Sequence, residues 1–217
     1  MNVIYIHGLD SDANSTKGRL LEDYCHQYHP NINVLRPDLN KSPAQVCEQL
    51  LLLIKGLDKN KDARNDCCET VLVGSSLGGY FSTLISNYTG CPALLLNPST
   101  QPHITLQRFA DTLVSIQEGG DSSPYSNVLH TTAGGWRITP SDLQWFAENQ
   151  LVDIHYPKKI VVFIKEGDEL LNPELAKAFY QQQGATVIMQ AGGDHRFSDF
   201  DTQLPIAIDM LQELIRL

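Results

Sequence analysis

The chain has 217 residues, 42% of them hydrophobic and 19% charged, a balance that excludes intrinsic disorder and suffices for one substantial core. Its formal net charge of -9 argues against broad contact with nucleic acid or an anionic membrane, since both draw their affinity from lysine and arginine. No linker-like break divides the composition, so residues 1–217 read as a single domain whose partner is a small molecule.

The first segment, NVIYIH, is a strand-like aliphatic run. It has no basic leader and is too short for a signal peptide or a membrane span, so a cytoplasmic location is expected. Helical spacing follows at Leu20, Leu21, Tyr24, Cys25 and Tyr28, then a strand-like INVLRP. Ser42 before Pro43 marks a helix start, and Cys47, Leu50, Leu51 and Ile54 form its apolar face. ETVLVG is the next strand. Leu77, Tyr80, Phe81, Leu84, Ile85 and Tyr88 then fall at steps of three and four on a third helix. PALLLN, KIVVFIK and ATVIMQ complete the strands. Asn172 before Pro173 starts a helix with Leu175, Ala178 and Phe179 on its apolar face, and Ala207, Met210, Leu211, Leu214 and Ile215 stripe the last one. Strands without strict alternation are covered on both faces. Alternation of such strands with helices predicts an α/β fold, an open and mostly parallel sheet of about six strands with its site at the carboxyl ends of the strands.

Two segments break this rhythm. Residues 55–69 carry eight charged residues and no apolar face, which predicts a solvated loop. Residues 98–159, between the fourth and fifth strands, exceed what a crossover requires and read as a lid insertion. Its aromatic residues, Phe109, Tyr125, Trp136, Trp145, Phe146 and Tyr156, are expected to pack the lid onto the body rather than touch substrate. Cys25, Cys47, Cys67, Cys68 and Cys91 lack metal-site spacing and are expected to be free thiols, with no metal and no cofactor.

The stretch VLVGSSLGGY contains Gly-x-Ser-x-Gly at Gly74, Ser76 and Gly78, between a strand and an amphipathic helix. That is the setting of a nucleophile elbow. The tight turn strains the serine backbone, and glycine is favoured two positions either side, where a side chain would strike the strand or the helix. Ser76 is thereby held out from the sheet, whereas Ser75 points elsewhere. The backbone N–H of Leu77, at the start of the helix, is a candidate oxyanion donor. Neither a Walker lysine nor a Gly-x-Gly-x-x-Gly spacing accompanies the glycines, which argues against a nucleotide loop.

A serine hydroxyl needs a base, and a histidine base needs a carboxylate to set its tautomer. In the order serine, acid, histidine, Asp168 follows the strand KIVVFIK and His195 follows ATVIMQ. His26 and His29 belong with the first helix, and His103, His130 and His155 with the lid stretch, so only His195 follows a late strand. Asp168 is preferred to Glu166 because it follows the glycine of its turn, where a short side chain reaches the imidazole. In IYIHGLDSD the loop after the first strand offers His7 and Gly8, with the N–H of Leu9 as the second oxyanion donor and His7 as a ring that shapes the loop.

Taken together, YIHGLDSD, LVGSSLGGYFSTLIS, LLLNPS, KEGDELLN and GGDHRF resemble the α/β-hydrolase fold, and within it the small bacterial YqiA/YcfP-like esterase family, over nearly the whole chain. The resemblance implies a compact hydrolase with Ser76 as nucleophile, Asp168 as acid and His195 as base. It also implies action on short acyl esters or acyl-CoA-type thioesters. Two other readings stay open: an α/β-hydrolase scaffold that binds a protein without catalysis, and a triad enzyme acting on amides or peptides.

Overall fold

The structure is a computed structural model that describes residues 1–58, 69–111 and 127–216. Its central sheet is built from β1 (Asn2–Ile6), β2 (Asn33–Leu35), β3 (Thr70–Ser75), β4 (Ala93–Leu96), β7 (Ile160–Lys165) and β8 (Thr186–Gln190). They lie in the order β2-β1-β3-β4-β7-β8, and every neighbouring pair is parallel. A separate antiparallel hairpin joins β5 (His130–Thr131) to β6 (Arg137–Ile138). The six sheet strands are the six aliphatic runs of the sequence.

The helices are α1 (Thr16–Tyr28), α2 (Pro43–Asp58), α3 (Leu77–Thr89), α4 (Pro102–Thr105), α5 (Pro140–Glu148), α6 (Pro173–Gln182) and α7 (Phe200–Leu214). On one face of the sheet, Leu21 and Cys25 of α1 and Leu204, Ile208 and Leu211 of α7 pack on Val3, Val71, Val73 and Leu94. On the other, Leu50 and Ile54 of α2, Tyr80 and Ile85 of α3 and Tyr180 of α6 pack on Ile4, Leu72, Leu95 and Val162. Successive strand residues thus serve opposite cores, which is why these strands read as unbroken aliphatic runs. Each fully buried aliphatic side chain contributes roughly 2 kcal/mol through its removal from water. Among the described residues no helix is long and apolar enough to cross a membrane.

Three expectations need correction. Helix α2 continues through Lys55 to Asp58, so the charged stretch begins inside a helix. Leu57, packed on the core one turn after Ile54, extends the apolar stripe that carries it there. The remainder of that stretch, 59–68, with Cys67 and Cys68, lies outside the described residues. In α6 the buried face is Ala176 and Tyr180, with Phe179 half-buried against the core as expected but Leu175 and Ala178 turned to solvent, a rotation of about one residue from the predicted face. Tyr28 and Tyr88 are exposed because they stand in the last turns of α1 and α3, past the part of each helix that meets the core.

Within 98–159 the described residues contain α4, the β5–β6 hairpin and α5. Helix α5 starts with a cap in which Asp142 Oδ2 accepts from the Thr139 N–H at 2.9 Å and the Thr139 carbonyl from the Asp142 N–H at 3.0 Å. Phe146 is fully buried and meets Tyr80 and Phe81 of α3 edge-on or tilted, with ring centres 5.4 and 6.0 Å apart. The Tyr80 hydroxyl donates to the Asn149 carbonyl at 2.5 Å. These contacts bind the segment to the body. Tyr125 lies outside the described residues.

Candidate active site

The turn from β3 to α3 has no spare volume. Ser76 adopts φ 56°, ψ -119°, a left-handed backbone that a non-glycine residue takes only when its surroundings enforce it. A Cβ added at Gly74 would stand 2.2 Å from Ser82 Oγ, and one at Gly78 would stand 2.0 Å from the carbonyl oxygen of Ile6. The Ser76 N–H donates to Leu96 O at 3.0 Å, and its carbonyl accepts from Gly79 and Ser99 at 2.8 and 3.0 Å. The backbone is therefore held on both sides and the side chain projects into the open. Ser75 is buried, with its hydroxyl against that of Tyr5.

Ser76 Oγ lies 2.9 Å from His195 Nε2. The other ring nitrogen, Nδ1, lies 2.9 and 2.8 Å from the two carboxylate oxygens of Asp168. A carboxylate only accepts, so Nδ1 carries the proton and Nε2 is left as the acceptor for the serine hydroxyl. The Asp168 side chain is 2% exposed and the His195 side chain 12%, so water competes little for the pair. Asp168 Oδ1 also accepts from the N–H groups of Leu170 and Leu171, at 2.9 and 2.8 Å, which fixes the carboxylate against its own turn. Among the described residues His195 alone hydrogen-bonds the Ser76 hydroxyl, and Glu166 is exposed with no bond to the imidazole.

The loop after β1 is shaped by His7, which is buried. Its Nε2 accepts from the Leu39 N–H at 3.0 Å, which leaves Nδ1–H to donate to Gly8 O at 2.9 Å. Burial pushes the imidazole below its ordinary value, opposed by the Gly8 carbonyl and by Asp38, so the neutral ring is the form the fold selects. A Cβ at Gly8 would stand 3.1 Å from Ser76 Cβ, which shows how closely this loop approaches the serine. Among the described residues, the N–H groups of Leu9 and Leu77 donate to no protein acceptor, and both residues line the cleft over Ser76. The Asp10 carboxylate accepts from the Ala133 N–H at 3.1 Å and so ties this loop to the turn of the β5–β6 hairpin.

That cleft has a volume of about 770 Å³. Asp12, Asn14 and Ser15 from the β1–α1 connection and Lys17 from the first turn of α1 give it one polar wall, while Leu106, Leu170 and Leu171 give it apolar surface. Lys17 is pushed down to about 8, chiefly by burial, and its Nζ donates to the Arg196 carbonyl. Among the described residues no cluster of three histidine, cysteine or carboxylate side chains is arranged to hold a metal ion.

Sequence reasoning passed over the residues that hold the histidine loop. Asn97, at the end of β4, is buried with φ 43°. Its Nδ2 donates to the carbonyls of Asp194 and His195, at 3.0 and 3.2 Å, and its Oδ1 accepts from the Lys165 N–H at 2.8 Å. Glu169 accepts from the His195 N–H at 2.9 Å. Lys165 is itself buried, paired with Asp199 at 2.5 Å and lying over the Phe197 ring. The asparagine in LLLNPS was the one available signal, because a polar residue closing a buried aliphatic strand requires partners.

A model of an uncharacterised protein family (UPF0227) matches residues 2–212. Among solved structures, Est1E from Butyrivibrio proteoclasticus with ferulic acid bound is similar at a TM-score of 0.71 and 15% identity, covering 100% of this chain and 90% of that one. The esterase domain of a Rhodothermus marinus protein gives 0.65 and 16%, covering 99% and 86%. Alpha/beta hydrolase domain-containing protein 10 from mouse gives 0.63 and 18%, covering 98% and 90%. These likenesses establish the fold as that of the α/β-hydrolases.

Proposed function

From the premise that the chain belongs to the UPF0227 family and has the α/β-hydrolase fold, we propose that it is a serine hydrolase of carboxylic esters or thioesters. The observation that carries this reading is the chain of hydrogen bonds from Ser76 Oγ through His195 to Asp168, with lengths of 2.9 and 2.8 Å, beside two unengaged backbone N–H groups. A scaffold that only bound a partner would have no need of it. Est1E carries ferulic acid, a carboxylic acid, and the Rhodothermus domain is named an esterase, and both support the ester reading here.

In the proposed cycle Ser76 Oγ attacks the carbonyl carbon as its proton passes to His195 Nε2. The carbonyl π pair moves to oxygen, and the N–H groups of Leu9 and Leu77 receive that oxyanion. The C–O or C–S bond then breaks, the leaving group takes the proton from Nε2, and the acyl group stays on Ser76. A water molecule repeats the sequence, giving its proton to His195 and releasing the acid. Asp168 stabilises the imidazolium formed in each half and keeps its Nδ1–H inward. Only acyl and proton transfers occur, so the residues present balance the reaction. The open, half-polar cleft suits a short acyl ester or thioester better than a long alkyl chain.

Ser76→Ala tests the proposal. The variant should lose hydrolysis of p-nitrophenyl acetate by a factor on the order of 10⁶ and should no longer be labelled by a fluorophosphonate. Unchanged hydrolysis by the purified variant would overturn it. Absence of both activities in the unaltered protein would favour the protein-binding scaffold.

A further inference from the structure

We propose that Asn97 is a positioning residue for His195, holding the histidine loop in register with the nucleophile through its carboxamide. The inference rests on the reading of Ser76 and His195 as nucleophile and base.

The loop that carries His195 is closed on itself by two turn bonds, from the Phe197 N–H to Asp194 O at 3.1 Å and from the Ser198 N–H to Asp194 Oδ1 at 3.0 Å. It opens with Gly192 and Gly193 at φ 67° and 73°, and a Cβ at Gly192 would meet nothing within 4 Å. Bonds from the body fix its position relative to the sheet. The His195 N–H is taken by Glu169, and the Arg196 carbonyl by Lys17. The carbonyls of Asp194 and His195 both accept from Asn97 Nδ2, the first sharing its oxygen with the Phe197 N–H. Both peptide groups flanking the His195 Cα are therefore anchored.

Asn97 suits this task for reasons of valence. Its two N–H donors reach two carbonyls and its oxygen reaches one N–H, that of Lys165. The partners leave only one orientation of the amide, because a carbonyl cannot face Oδ1 and an N–H cannot face Nδ2. Aspartate has no donors to offer the carbonyls. The residue's left-handed backbone also favours asparagine among side-chain-bearing residues. The preceding residue, Leu96, accepts the N–H of Ser76, so nucleophile and base are both referenced to the end of β4. A shift of the imidazole by about 1 Å suffices to cost on the order of 100-fold in rate.

The test uses Asn97→Gly, which accommodates the backbone and removes the carboxamide, and Asn97→Asp, which keeps the shape and loses the donors. For both, kcat per active site, titrated with a fluorophosphonate, should fall roughly 10- to 100-fold, with KM for p-nitrophenyl acetate changing by less than about two-fold. The low-field proton resonance of His195 Nδ1–H should broaden or vanish in both. A purely structural role would lower the melting temperature and the titratable fraction while sparing kcat per site and the resonance, and that result overturns the proposal. The resonance is read without turnover. If the unaltered protein proves inactive, the assignment of Ser76 fails, and persistence or loss of the resonance in Asn97→Gly still decides the role of Asn97.

Discussion

The Ser76 side and the His195 side of the site are held in place by different balances of contact and hydrogen bonding. At Ser76 the backbone is confined by contact, with the carbonyl of Ile6, the hydroxyl of Ser82 and the side chain of Pro98 occupying the space that Cβ atoms at Gly78, Gly74 and Gly79 would need. At His195 the loop has open space around Gly192 and is tethered instead by Asn97, Glu169 and Lys17. Gly74 and Gly78 on the first side tolerate no added volume, whereas around Gly192 the second side depends on its donors and acceptors. One site thus fails in two ways, and substitutions can separate them.

Among the substitutions that separate the two sides, the largest effect is expected from one that alters chemistry and spares volume. Asp168→Asn removes the charge and places an amide group against Nδ1–H or against the Leu170 and Leu171 N–H groups. Either orientation spoils a bond, so kcat should fall roughly 10⁴-fold while circular dichroism and melting temperature stay close to those of the unaltered protein. A kcat within about ten-fold would mean that the polar side of the comparison is wrong.

On the Ser76 side the converse holds. Gly78→Ala adds one methyl group 2.0 Å from Ile6 O and 2.7 Å from His7 O, both backbone atoms that move only if β1 and α3 separate. Urea unfolding should show a loss of about 3 kcal/mol. Gly192→Ala on the His195 side meets no atom and should cost only the strain of a left-handed alanine, about 1 kcal/mol. Equal losses from the two substitutions would dissolve the distinction.

The same distinction governs what could be read in the sequence. The elbow was legible because steric exclusion leaves a trace in residue type, glycine at 74 and 78 between a strand and a helix. The addresses of Asp168 and His195 were legible because each follows a strand of a parallel sheet, whose carboxyl ends converge by topology. The tethers were hidden. Glu169 and Lys165 look like ordinary turn and strand-end residues, and only folding brings Asn97 against carbonyls 97 and 98 positions away. The apolar face of α6 was read one residue off because Leu175 is more hydrophobic than Ala176, yet the helix presents Ala176 and Tyr180 to the core. Periodicity locates a stripe but not its rotation to within a residue.

The smallest effect concerns a polar tether on the Ser76 side, His7, and its sign follows from the buried ring. Burial lowers the imidazole below its ordinary 6.5 in the fold, so the unfolded chain binds the proton more readily. The stabilising contribution is complete above the ordinary value and is lost as pH falls below it. Protonation would also set a second N–H against the Leu39 N–H, donor facing donor, 3.0 Å apart. The protein should therefore melt lower at about pH 5.5 than at about pH 7.5, and His7→Gln, which offers an acceptor that does not titrate, should show a smaller difference. The comparison between the two proteins cancels every other titrating group they share. An equal pH dependence in both would mean that the His7 bonds add nothing to this loop that acid can remove.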